Sequence, residues 1–389
     1  MGYHVCAELD KIHYKSYGDT LQNSVMKEID ITSGVSGGSF VSAGLPIYRN
    51  NWEEFEKVAV NLNIQKAIFR RVLLPWNWLF LASPYYTRTN IASEYYDEHI
   101  FKQQTFGSAN LYPKPLINAT LLAKGTHFIY TDEYFRYISS DIKSYPLGYA
   151  CAASSAFPVG FPAMTLKNYG HTLPEDSLLL DKKYKRAVRN ATTDINLYEY
   201  KKLRKFLNNK KNEWLHNQDG GLAGNTGIKR VLDEWKTNGV INKAINNTKN
   251  PLKRLIIIVV DAGTEAVDNS CRKQRPPFSA RVILYTATTA MDVLSAERMG
   301  EVRSKVEELW QVIQNSSGDA SLSQLEKPYI IEINARNIDD KELYKRFNAL
   351  PTSFNLKYEQ LDIVKEATLY LIDTDEELKR LKESINNAQ

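Results

Sequence analysis

Apolar residues change their spacing several times along this chain, and each change marks an element. Val5, Leu9 and Ile12 recur at helical intervals and predict a helix over residues 5–12. Met26 to Thr32 then alternates apolar and polar positions as a strand does. It runs into Ser33-Gly34-Val35-Ser36-Gly37-Gly38-Ser39-Phe40, where a turn gives way to a second helical stretch. Leu116 to Leu122 and His127 to Tyr130 read as two more strands. Leu255 to Val260 is apolar without a break, the pattern of a central parallel strand covered on both faces, and Tyr329 to Ile333 is a further strand candidate. Met291 to Ile313 and Leu361 to Ile385 carry apolar residues three and four apart and predict long helices. Strands alternating with helices predict an α/β fold. No internal repeat and no linker rich in Pro, Gly or Ser divides the chain, so one domain over residues 1–389 is expected.

Composition narrows the class. The 389 residues are 43% hydrophobic and 24% charged, with a mean hydropathy of -0.41, which suits a globular protein with a substantial core. No apolar run approaches the roughly 18–20 residues of a membrane-spanning helix. The first residues lack a basic segment followed by an apolar one, and Cys6 stands where a myristoylation signal has Ser or Thr. A cytoplasmic or peripheral membrane location is therefore expected. Cys6, Cys151 and Cys271 are odd in number, far apart and away from histidine, so neither a disulfide framework nor a zinc site is expected, and no metal or cofactor is implied.

Charge is unevenly placed. Lys182 to Lys211 holds 11 basic residues against Asp194 and Glu199, a net of +9, whereas the whole chain carries only +5. The segment at about 166–217 reads as a basic insertion, either solvated or attracting anionic headgroups. Nucleic acid is not expected as a partner, because the overall charge is modest and no aromatic-basic surface module is evident. A second surface candidate runs from Arg70 to Leu81 and on to Tyr85-Tyr86. Arg70, Arg71, Trp76 and Trp78 combine the residue types found at headgroup depth, although a buried aromatic helix lining an acyl pocket fits the same pattern and is the favoured reading.

The chemistry concentrates in two turns. Gly34-Val35-Ser36-Gly37-Gly38 fits G-x-S-x-G and lies between a predicted strand and a predicted helix, where a serine is held on a tight turn. Glycines beside it remove Cβ groups that would obstruct the backbone and an approaching ester. The following helix aims its first amides at the site, with the Gly37 amide the natural oxyanion donor. A phosphate loop is not supported, because the Lys-Ser/Thr pair is missing and G-x-G-x-x-G is not matched. A serine hydroxyl needs a base. The six histidines, His4, His13, His99, His127, His171 and His216, end well before the C-terminus. A serine-acid-histidine order would have to close by residue 216, with His171 or His216 as base. The alternative is Asp219-Gly220-Gly221, a carboxylate followed by two glycines. It can take a serine proton directly in a dry site, or can be an ordinary surface turn.

Together these turns resemble those of the patatin-like phospholipase family, whose members use a Ser-Asp dyad. Ser36 matches the serine in G-x-S-x-G and Asp219 the aspartate in D-G-G. Ile117-Asn118-Ala119-Thr120 is similar to the family's strand ending in Ala-Thr. Ala153-Ser154-Ser155-Ala156-Phe157-Pro158 is similar to its Ala-Ser-x-Ala-x-Pro segment, and Leu222 with Asn225 continues the turn after the aspartate. The resemblance implies a patatin-like three-layer α/β fold, a central mostly parallel sheet flanked by helices. It also implies a lipid acyl-hydrolase, like a phospholipase A or a lysophospholipase, acting on phospholipid or other acyl-glycerolipid through a Ser36 acyl-enzyme with Asp219 as base. Relatives open with a strand and a Gly-Gly-Gly-x-Arg/Lys-Gly loop that supplies most of the oxyanion hole, whereas this chain starts at Met1-Gly2-Tyr3 without them. A catalytically weak or silent lipid-binding protein and a histidine-dependent esterase are the competing expectations.

Overall fold

A computed structural model describes residues 1–15, 22–61, 63–109, 111–158, 160–172, 202–236, 239–263, 279–315, 322, 324–351 and 356–387. In chain order come α1 (Gly2–Lys11), β1 (His13–Lys15), β2 (Gln22–Ser24), β3 (Ile31–Val35), α2 (Gly37–Tyr48), α3 (Trp52–Phe55), α4 (Ile64–Val72), α5 (Pro75–Leu81) and α6 (Arg88–His99). They are followed by β4 (Lys114–Leu121), β5 (Thr126–Tyr130), α7 (Asp132–Tyr137), α8 (Leu147–Ser154), β6 (Met164–Lys167) and β7 (Trp214–Asp219). β8 (Ile256–Asp261), β9 (Tyr329–Asn334) and several helices complete the chain. Two compact units emerge, one from residues 1–29, 49–65 and 244–389, the other from 30–48 and 66–243.

The second unit is an α/β structure built on a five-stranded sheet. β3 runs parallel to β4, from Ile31 opposite Lys114 to Val35 opposite Asn118. β5 runs antiparallel to β4 over residues 117–121, and β7 antiparallel over residues 119–121, with β6 antiparallel to β7. A mostly parallel sheet was expected; the described pairings are mixed, because β4 and β5 are joined by too short a turn for a parallel crossover. A strand has two edges. Since β5 occupies one edge of β4, β3 and β7 share the other, end to end, and their C-terminal ends meet at Asn118 and Ala119.

Burial fixes that geometry. β4 is buried from Pro115 to Leu121 and β5 throughout, as strands covered by helices are. On α2, Phe40, Ala43, Leu45 and Tyr48 are buried, and the Phe40 ring meets Tyr96 of α6 edge-on at 4.8 Å. α8 is made largely of small residues, buried at Leu147, Gly148 and Ala150 to Ser154, which lets neighbouring backbones approach closely. A Cβ on Gly148 would stand 2.5 Å from the Asp97 amide nitrogen of α6.

Between β6 and β7, fully buried Asn168 staples the two ends of the inserted segment. Its Nδ2 donates to the Leu207 and Asn212 carbonyls, and its Oδ1 accepts from the Gly170 amide. Residues 202–207 are helical, whereas the basic residues from Lys182 to Lys201 lie outside the described residues.

In the first unit β8 pairs in parallel with β9, Ile256 opposite Tyr329 through Asp261 opposite Asn334. The expectation of a strand buried on both faces does not hold. Ile257, Val259 and Asp261 are buried while Ile256, Ile258 and Val260 are half-buried, so one face is only partly covered. The helix expected from Leu361 to Ile385 breaks into Tyr358–Thr374 and Glu376–Asn387, because Asp375 is extended and its Oδ1 caps the Leu378 amide at 2.7 Å. The alternation expected over Met26 to Thr32 also resolves differently. Val25–Glu28 is a 3-10 turn that buries Val25 and Met26, and the strand begins only at Ile31. Apolar residues at 26 and 29 suit one turn of helix as well as they suit a strand. Among the described residues no helix is long and apolar enough to cross a membrane.

The close approach of α6 and α8 leads to a direct test. Gly148→Ala should cost about 1–3 kcal/mol in urea denaturation, because the added methyl meets backbone rather than a movable side chain. A midpoint unchanged from wild type would mean the two helices can separate freely.

Candidate active site

The serine turn is assembled from short-range demands. Ser36 follows β3 with φ +49°, a left-handed conformation that costs a non-glycine residue about 1–2 kcal/mol. Several contacts hold it there. Its amide donates to Ser154 Oγ at 3.0 Å, and its carbonyl accepts from the Ser39 amide at 3.0 Å and from Ser39 Oγ at 2.6 Å. Gly34 is obligatory, since a Cβ there would lie 2.4 Å from the Gly38 carbonyl oxygen. Gly37 and Gly38 are different. Both are exposed at the first turn of α2, and a Cβ on either would meet nothing within 4 Å, so the space above the turn is open.

The aspartate turn reaches the same place from the other side. Asp219 ends β7 opposite Ala119, and its amide donates to the Ala156 carbonyl at 3.1 Å. Asp219 Oδ1 accepts from the Gly221 amide at 2.9 Å, which leaves Oδ2 to accept from the Ser36 hydroxyl at 2.9 Å. Gly220 must lack a side chain, because a Cβ would stand 2.1 Å from the Asn118 carbonyl oxygen. Asn118 and Ser154 link the two turns. Ser154 Oγ donates to the Asn118 carbonyl at 2.6 Å while accepting from the Ser36 amide, and Asn118 Nδ2 donates to the Gly34 carbonyl at 2.9 Å and to Ser33 Oγ at 3.0 Å.

Burial dominates the electrostatics. Asp219 is 2% exposed, and loss of water raises its carboxyl from the ordinary 3.8 to about 6, with the Gly221 amide and the Ser36 hydroxyl pulling the other way. The site therefore holds a carboxylate more basic than a solvated one, hydrogen-bonded to a half-buried hydroxyl.

Of the residues singled out in the sequence, Ser36, Asp219, Gly34, Gly37, Gly38, Gly220 and Gly221 come together here. His216 does not join them. It is exposed, on the face of β7 opposite Leu215, Asn217 and Asp219, and its Nδ1 is 2.9 Å from Thr165 Oγ1. His171 lies in the 3-10 turn Gly170–Thr172 after β6. Arg70, Trp76 and Trp78 are exposed on α4 and α5, and Arg71 binds Glu98 at 2.7 Å. The aromatic stretch is thus not the buried wall that its helical spacing favoured: α4 buries Ile64 and Ile68, and α5 buries nothing. Ser154 and Asn118 had no assigned role in the sequence. Their only signal was membership of segments resembling a family motif.

A family model described as patatin-like phospholipase matches residues 12–232, more than half of the chain and inclusive of both turns. The chain belongs to the patatin-like phospholipase family. Compared with curated proteins, it finds no match. Family membership supports the three-layer α/β fold and, in general terms, lipid acyl-hydrolysis.

In this patatin-like protein the elevated pKa of Asp219 also bears on stability. The folded chain holds the proton more tightly than the unfolded one, so this group's contribution is fully present below about 3.8 and is lost as pH rises through about 6. The loss amounts to about 3 kcal/mol at pH 8. Asp219→Asn, which cannot ionise, should be more stable than wild type at pH 8 by up to that amount and close to it at pH 4. Urea midpoints at the two pH values measure this, and an equal difference at both would show that the carboxylate is not destabilised by burial.

Proposed function

We propose that this chain hydrolyses the carboxylic esters of phospholipids or other acyl-glycerolipids, in the manner of a phospholipase A or lysophospholipase, with Ser36 as nucleophile and Asp219 as general base. The observation that carries the reading is the 2.9 Å hydrogen bond from Ser36 Oγ to a buried carboxylate whose other oxygen is held by a backbone amide. Geometry of this kind lets one proton move without rearrangement.

As Ser36 Oγ bonds to the ester carbonyl carbon, its proton passes to Asp219 Oδ2 and the carbonyl electron pair moves onto oxygen. The first-turn amide of Gly37 and the N-terminal end of α2 are the proposed stabilisers of that oxyanion. When the intermediate collapses, the bond from the acyl carbon to the alcohol oxygen breaks, and the departing oxygen takes the proton from Asp219. Water then attacks the acyl-enzyme, gives its proton to Asp219, and the fatty acid leaves as Ser36 regains its hydrogen. Dryness is what fits Asp219 to both transfers: with its carboxyl at about 6 it is ionised at neutral pH yet a stronger base than a solvated aspartate.

The test is covalent. A fluorophosphonate should label wild-type protein and not Ser36→Ala, and Asp219→Asn should slow ester cleavage by about 10²–10⁴-fold. The wild-type kcat/KM should rise with pH through about 6 and then level, because only ionised Asp219 accepts the proton. Unlabelled folded wild type, or full esterase activity in Ser36→Ala, would remove the assignment.

A further inference from the structure

α4 and α5 form a corner that the fold leaves uncovered. Leu79 is 80% exposed and Tyr85 87%, with Trp76 and Trp78 near 60%, and Phe69, Leu73 and Phe80 are each more than half exposed. Soluble proteins rarely leave so many large apolar side chains together in water without a use for them.

The corner is built rather than frayed. Asn77 Nδ2 donates to the Arg71 carbonyl at 2.6 Å, and Trp78 Nε1 donates to the Val72 carbonyl at 3.1 Å. Side chains of α5 thereby bind two carbonyls at the end of α4, of which that of Arg71 also accepts from the Leu74 amide at 3.2 Å. One consequence concerns Trp78. Its only polar group is engaged within the protein, so the exposed part of the ring offers apolar surface alone. Directly after the corner, Thr87 caps α6 in a capping box with Asn90, and α6 packs on α2 and α8, the helices that carry the serine turn and Ser154. From Lys66 onward the corner lies in the same compact unit as the dyad.

Charge identifies the occupant. Residues 66–93 contain Lys66, Arg70, Arg71 and Arg88 and no Asp or Glu. Arg70 and Arg88 are exposed beside the apolar residues, and Arg71 is held by Glu98 under the Tyr95 ring. A second copy meeting the first through this face would bring like charges together. A bilayer with anionic headgroups supplies both what the basic rim attracts and what the Trp, Tyr, Leu and Phe side chains enter.

We propose that the α4–α5 corner is a membrane-docking surface that inserts at headgroup depth into an anionic phospholipid bilayer. The inference rests on the acyl-hydrolase reading for its purpose, since it names where the substrate is met, but its test does not depend on catalysis. The full chain carrying Ser36→Ala, which cleaves nothing, is mixed with vesicles of phosphatidylcholine alone or with added phosphatidylglycerol, and bound protein is measured by sedimentation. The Ser36→Ala protein should bind the phosphatidylglycerol vesicles more tightly, and less so as salt is raised. Adding Trp76→Ser and Leu79→Ser should lower partitioning about tenfold or more per residue while circular dichroism and melting temperature stay native. Arg70→Glu with Arg88→Glu should abolish the preference for anionic vesicles. No vesicle binding by the Ser36→Ala protein, or equal binding by the serine variants, overturns the proposal. So does light scattering that shows a dimer dissolved by Trp76→Ser and Leu79→Ser, which would make the face a contact between copies. Because no ester is cleaved, absence of esterase activity in wild type would count against the dyad and leave the vesicle result standing.

Discussion

One edge of one strand organises the site. β4 pairs on one edge with β5 over residues 117–121, and β3 and β7 divide the other edge between them, approaching from opposite directions until Val35 faces Asn118 and Asp219 faces Ala119. Two residues 183 positions apart, at the ends of β3 and β7, are thereby set side by side by backbone register. No flexible loop has to find its partner. The side chains that follow each strand end need only adopt the local turn, which is why glycine is required where the turns meet backbone, at Gly34 against Gly38 and at Gly220 against Asn118.

That arrangement also explains how strain and desolvation coexist there. A left-handed Ser36 and a buried Asp219 each cost stability, on the order of 1–3 kcal/mol apiece. The surrounding sheet over-determines both positions. Ser39 holds the Ser36 carbonyl twice, Ser154 holds its amide, and Gly221 holds one oxygen of Asp219. Ser154 binds the Asn118 carbonyl as well, so the strand that aligns the two turns is tied to the residue that holds the Ser36 amide. The alignment and the chemistry share their supports.

Legibility in the sequence followed the range of the interactions. The serine turn could be read because its requirements are local: a strand, glycines at fixed offsets, then a helix. Asp219 could not be paired with Ser36 on local grounds, since Asp-Gly-Gly makes ordinary turns and the pairing is a matter of register; only the resemblance to a family joined them. Ser154 and Asn118 were visible as motif members and silent about their roles, which depend on what stands across the sheet. The aromatic stretch was misjudged for a related reason. Helical spacing of apolar residues says that a face exists, not what covers it, and α4 satisfies its core with Ile64 and Ile68 alone. Leu255 to Val260 misled in the same way, because an unbroken apolar run does not reveal how fully each face is covered.

Partial exposure at the serine and burial at the aspartate divide the demands of the proposed reaction. Ser36 is half-buried beneath the open space over Gly37 and Gly38, where an ester could reach it, while Asp219 is 2% exposed and accepts a hydrogen bond from its hydroxyl. A base open to water would lose the basicity that burial confers, and a nucleophile as deeply buried as the base would admit no lipid. Placing the two at the meeting ends of neighbouring strands resolves the conflict with a step of one hydrogen bond. An acyl chain lying over Ser36 would then displace the remaining water above the hydroxyl. The substrate itself would complete the dry environment in which a proton moves most readily from serine to aspartate.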